Sequence, residues 1–150
     1  MSSNPLLNLN DDEKKRWKEV QEFRFPHASP GRQVTDFFWR QSVEAFRQGA
    51  FLCSSILAGI TAELARKTRA RELGVVDEKD ECAEEIAKAI KDSRNMWVHP
   101  DLDEIESYVK RKGGSLWSDA TMNIASASAN LEPLEMTRGL LARLFIETTS

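Results

Sequence analysis

Cysteine, histidine and glycine are all scarce in this sequence, and each scarcity removes a class of function. Two cysteines in 150 residues, Cys53 and Cys82, cannot build a disulfide scaffold, and neither has a partner at metal-ligand spacing. Both fall in apolar helical patterns and read as inert core thiols. With only two histidines, His27 and His99, a His-based metal site would need carboxylate help that no spacing supplies. Seven glycines form no phosphate-cradling loop, and His-Glu-x-x-His, Cys-x-x-Cys and Gly-x-Ser-x-Gly are absent. No metal or cofactor is expected.

Long apolar runs and excess charge are missing too. The longest uncharged stretch, Gln48 to Ala62, is short and rich in small polar residues, whereas a bilayer span needs roughly 20 apolar residues. Met1 to Asn10 has no basic stretch followed by an apolar block, so no secretory leader is expected and the location reads as cytoplasmic. A net charge of -3 excludes a uniformly basic nucleic-acid coat, because phosphate binding is driven by positive charge. The charge is nevertheless segregated. Acids gather at Asp77–Glu85 and Asp101–Glu106, bases at Arg66–Arg71, Lys88–Arg94 and Lys110–Lys112.

What is present is helical pattern, with no convincing alternation of β-branched residues. Asn10 before Asp11, Asp12 and Glu13 opens a short helix carrying Trp17 and Val20. Phe25 to Gly31 reads as a loop, with His27 a solvated loop residue. A dominant helix is expected from about Asp36 to Leu73, stopping at Gly74, with Gly49 a point of bending. Its apolar row Phe46, Ala50, Cys53, Leu57, Ile60 and Leu64 marks the inner face, and Ala58 and Gly59 keep one side thin enough for a neighbour. Its basic end, Arg66, Lys67, Arg69 and Arg71, is a solvated face or an RNA-backbone track.

A third helix with Cys82, Ile86, Ala89 or Ile90, and Trp97 inward ends near Val98, since Pro100 pushes His99 out of the α region. Pro100 suits the first position of the next helix, with Leu102, Ile105 and Val109 inward and Gly113-Gly114 as its stop. Leu116 to Asn130 has helical spacing but a composition that packs poorly. Pro133 opens the last helix, burying Leu134, Leu141, Leu144 and Phe145. The tryptophans at 17, 39, 97 and 117 read as core or dimer anchors. The expected fold is all-α: a bundle of five to six helices over residues 10–150, after a flexible lead-in of residues 1–9.

One cluster carries chemistry: Arg94-Asn95-Met96-Trp97-Val98-His99-Pro100. On a regular helix residues five apart diverge by about 140°. A proline that takes His99 off the helix lets its imidazole swing back toward Arg94. Histidine can take a proton from a 2′-hydroxyl or give one to a leaving oxygen, and arginine can hold charge developing on phosphorus. Lys88 and Lys91 recur on the same face as Arg94 and would make it positive toward RNA.

Here the sequence resembles the HEPN superfamily, whose motif is Arg, four to six residues, then His. Arg94-Asn95-x-x-x-His99 matches its common form with a polar residue after the Arg, and the small-residue-rich helix Phe46 to Leu64, containing Glu63, is similar to the one that precedes the motif. The resemblance covers roughly residues 36–148. It implies an α-helical bundle, a homodimer that joins two motifs in one cleft, and a metal-independent ribonuclease of toxin–antitoxin, phage-defence or RNA-processing type. It further implies an antitoxin or a nucleotidyltransferase as companion. By the same resemblance His99 is the general base or acid, Arg94 the phosphate contact, Asn95 its polar helper and Glu63 the group that orients Arg94. The chain departs from several toxin members by having Pro100-Asp101 where they place a Tyr, and Asp101, Asp103 and Glu104 would repel phosphates. Two readings stay open: a ribonuclease, or a non-catalytic HEPN-like binding, dimerisation or sensor module in which Arg94 and His99 only fix how helices cross.

Overall fold

The computed structural model describes residues 9–111 and 126–147, apart from the side chain of Val109. The expectations for residues 1–8, Trp117, Gly113-Gly114, the span 116–125 and the Val109 side chain lie outside the described residues. Within them the chain is a six-helix, all-α bundle without strands: α1 (Asp11–Glu22), α2 (Pro30–Arg47), α3 (Phe51–Leu73), α4 (Glu81–Val98), α5 (Leu102–Arg111) and α6 (Ala127–Ala142), the last continuing into a wider π turn, Arg143–Glu147. No helix among the described residues is long and apolar enough to cross a membrane.

Every helix start except that of α3, at Ala50, has a polar side-chain cap. Asn10 and Glu13 form a reciprocal capping box on α1, and Glu13 also accepts from the Ser128 hydroxyl of α6. Ser29 caps α2 through the Arg32 N–H at 3.3 Å, and Pro30 takes the first turn, where a missing N–H costs nothing. The helix therefore begins before Asp36 and absorbs the end of the expected loop. It does not run on to Leu73. Gly49 adopts φ 86°, a left-handed conformation that costs glycine little, and the chain reverses there into α3. The expected bend is a full break. Gly74, at φ 70°, stops α3 as its position suggested.

The core sits between α3 and α6, closed by α1, α2 and α4. Leu131, Leu134, Leu140, Leu141 and Leu144 are almost fully buried, with Trp39, Phe46 and Ile90 opposite. Trp17 packs tilted against Phe46 at 4.5 Å between ring centres. Leu9, placed by sequence in the flexible lead-in, is buried in this core. The Ser55 hydroxyl donates to Asn130 Oδ1 at 2.7 Å, so the buried polar groups between α3 and α6 satisfy each other.

α3 buries its small face. Ala58, Ala62 and Ala65 are inside, Leu57, Ile60 and Leu64 are only half-buried, and Cys53 is exposed. Of the row expected to face inward, Phe46 is fully buried, Leu57, Ile60 and Leu64 lie at the edge of the packed face, and Ala50 and Cys53 are exposed. The reason is that the first half of α3, Phe51 to Ala62, carries no charge on any side, so its pattern cannot indicate which side its neighbours take. Cys82 is exposed as well, in the first turn of α4, whose inner face is Ala83, Ala87 and Ile90, with Ile86 half-buried and Ala89 exposed.

Two proline expectations shift. Pro100 lies before α5 rather than in it. Asp101 caps that helix through the Glu104 N–H at 3.2 Å. Leu102 is 66% exposed, not inward. Pro133 lies inside α6, which starts earlier because Ser126 caps it through the Ala129 N–H at 3.1 Å. α5 packs through a satellite cluster of Trp97, Ile105 and Tyr108 rather than the main core.

Candidate functional site

The α4 helix crosses α3 where α3 has no side chain. Gly59 lies under the Arg94 stem so closely that a Cβ there would stand 2.7 Å from Arg94 Cδ and 2.8 Å from its Cβ. This is the close approach the small residues of α3 anticipated. It lays the guanidinium along α3, where Arg94 Nη1 donates to Glu63 Oε2 at 3.1 Å and Nη2 donates to Asn95 Oδ1 at 3.1 Å. Glu63 also pairs with Lys67 at 3.3 Å through its other oxygen. The Arg94 hydrogen bond holds the Glu63 carboxyl below the usual glutamate range; burial opposes it, and Lys67 adds to the lowering.

Arg94 is mostly buried, its side chain 17% exposed, and its Nε has no hydrogen-bond partner among the described residues. A guanidinium offers five N–H donors; two are used here. It lines a cavity of about 370 Å³ between α3 and α4, together with Glu63, Lys67, Lys88 and Lys91, within the ~300–1,000 Å³ of small-molecule sites. Lys88 and Lys91 make no ion pair or hydrogen bond among the described residues. The floor is apolar and small: Gly59, Ala62, Ala70 and Ala87.

The structure brings together Glu63, Arg94, Asn95, Lys88 and Lys91. It leaves His99 outside. His99 ends α4, its backbone N–H donating to the Asn95 carbonyl at 2.8 Å, and its exposed imidazole neither lines the cavity nor has a partner among the described residues. Asn95 links the two, through its side chain to Arg94 and its carbonyl to His99. The arrangement can hold a dianion or a phosphodiester at the Arg94 end and can offer a proton-transfer group beyond it.

Sequence reasoning overlooked several groups. Arg66, read as part of a solvated face or an RNA track, donates to the buried Glu78 at 3.0 Å and is neutralised there. Arg69 pairs with Glu72 at 3.5 Å, so the basic end of α3 is largely self-neutralised. His27 is not a free loop residue. It lies 3.1 Å from Asp36 Oδ2, which is 2% exposed and also binds Arg40 Nε at 2.8 Å. The i,i+4 spacing of Asp36 and Arg40 was visible, but no local pattern could bring the loop onto α2.

No family model, curated protein or solved structure matches this chain.

Proposed function

We propose that the chain is a HEPN-like, metal-independent endoribonuclease that holds a phosphodiester at the Arg94 end of the α3–α4 cavity. The observation that carries this reading is the clamped Arg94 guanidinium facing a cavity with two lysines unpartnered among the described residues, five residues before an exposed imidazole just past the end of the same helix. In the reaction the 2′-oxygen attacks the adjacent phosphorus, the bond from phosphorus to the 5′-oxygen breaks, and the 2′-hydroxyl proton is exchanged for one delivered to the leaving 5′-oxygen. The products are a 2′,3′-cyclic phosphate and a 5′-hydroxyl. His99 moves a proton as general base or acid, while Arg94 stabilises charge gathering on the phosphoryl oxygens. Glu63 and Asn95 fix the guanidinium. The reading includes a homodimer, in which the motif of a second copy completes the cleft. It also includes a toxin–antitoxin, defence or RNA-processing setting, with an antitoxin or a nucleotidyltransferase as companion.

Purified protein incubated with RNA in EDTA is expected to cleave it. His99→Ala is expected to lose about 10²–10⁴ of the rate, the usual worth of a general acid–base group, with its fold unchanged. RNA left intact by folded wild-type protein, or full activity in His99→Ala, would sink the assignment. A non-catalytic HEPN-like binding module is the second reading. It is favoured by one observation: among the described residues the His99 imidazole has no group to orient it, and it lies outside the cavity. On that reading Arg94→Ala lowers stability and no RNA product forms at all.

A further inference from the structure

The α3–α4 cavity changes sign along its length. At the Arg94 end Lys67, Lys88, Lys91 and Arg94 surround the single carboxylate of Glu63. At the other end, beside Ala70 and Val76, stand Asp77 and Glu84, and Glu78 there is already neutralised by Arg66. Asp77 and Glu84 have no ion pair or hydrogen bond from their side chains among the described residues. Glu84 and Lys88 are four apart on α4, a spacing at which opposite charges normally pair on a helix face. Here they do not, and both stand exposed at the cavity wall. Lys91 and Glu84 are seven residues apart, about 10 Å along the helix at 1.5 Å per residue, and Arg94 starts about one turn further on, its guanidinium drawn to Glu63 across the cavity.

A ligand that fits has an anionic end and, roughly 10 Å away, an edge that only donates. A nucleotide has both. An ionised carboxylate accepts on two oxygens and donates nothing. The guanine edge bearing N1–H and the N2 amino group offers two adjacent donors to such a fork. Cytosine and adenine each offer one amino group beside a ring-nitrogen acceptor, and uracil sets its N3–H between two carbonyl oxygens that a carboxylate repels. The small apolar floor of Ala62, Ala70 and Ala87 leaves room for a flat ring.

We propose that this cavity is a guanine-nucleotide subsite, with Lys88, Lys91 and Arg94 on the phosphate and Glu84, seconded by Asp77, on the base. It rests on the reading of the Arg94 end as a phosphate site, and it adds a preference for guanosine beside the cleaved bond. Calorimetric titration of the full chain with GMP, AMP, CMP and UMP tests it. GMP is expected to bind at least about fivefold more tightly than UMP, since one well-matched base contact is worth ~1–3 kcal/mol. Glu84→Gln is expected to bring GMP down toward UMP while UMP stays as it was. Lys91→Ala is expected to weaken all four alike. Equal affinities, no binding of any of the four, or a preference that survives both Glu84→Gln and Asp77→Asn overturns the subsite. Cleavage of RNA without a guanine preference in binding defeats the subsite alone. Preferential GMP binding by protein that leaves RNA intact supports the subsite and defeats the nuclease.

Discussion

Gly59 shows how one missing side chain places the proposed phosphate contact. Alanine in a helix interior is normally about 1 kcal/mol better than glycine. At position 59 its methyl would meet the Arg94 stem within 2.7–2.8 Å, and neither Cβ nor Cδ is the free end of that side chain. Gly59→Ala is therefore expected to push Arg94 off Glu63, to destabilise the chain by about 1–3 kcal/mol as over-packing does, and to depress RNA cleavage. Urea denaturation beside a cleavage assay reads both; a variant as stable and active as the parent would contradict the close crossing. At this scale much of the site was legible. Arg94 meets Asn95 and Glu63 through hydrogen bonds, because their spacing is set by one helix and one crossing. Two things were not. The inward turn of Arg94 away from His99 depends on where α3 lies, and the His27–Asp36 pair joins a loop to a helix face.

Among the helices, α4 is held at its start by one residue with two tasks. Asp80 caps it through the Ala83 N–H at 3.0 Å and takes Arg143 Nε, from the π turn, at 2.8 and 2.9 Å. The Arg143 hydrogen bond, with help from the cap, holds the Asp80 carboxyl below its ordinary range. A lowered carboxylate stabilises the fold at pH above its unfolded value of about 3.9, and that contribution disappears as pH falls through the lower folded value. Asp80→Ala is expected to cost about 1 kcal/mol from the cap alone at pH 7. Asp80→Asn, which keeps a capping oxygen, is expected to lose less. Urea midpoints measured at pH 7 and pH 3 should show the gap between wild type and Asp80→Asn closing at the lower pH. A gap that stays constant would remove the ion pair from the account. Helix existence was readable from period and caps. The start of α2 at Ser29-Pro30 and of α6 at Ser126 was not, because Pro133 looked like a better opening than the serine that does the capping. The inner face of α3 could not be read either, since Ile60 and Leu64 outweigh Ala58 and Ala62 in any apolar pattern while packing selects the smaller residues.

For the whole molecule, the net charge of -3 and the sign change along one cavity belong together. A chain without an overall positive field gains little from long-range attraction to RNA, so binding is expected to be brief and local to the Arg94 end. The half-buried aliphatic residues of α3, with exposed Phe37 and Val34 on α2, offer apolar surface that the proposed homodimer would cover. Sedimentation at micromolar concentration is expected to give a dimer. A strict monomer that still cleaves RNA would remove the second copy from the mechanism.

The most direct measurement concerns the chemistry of the cut ends. RNA treated with the protein in EDTA is analysed by mass spectrometry beside a His99→Ala control. The account expects 2′,3′-cyclic phosphate and 5′-hydroxyl termini from the wild type and none above background from the variant. Intact RNA, or 3′-hydroxyl and 5′-phosphate termini, would contradict it.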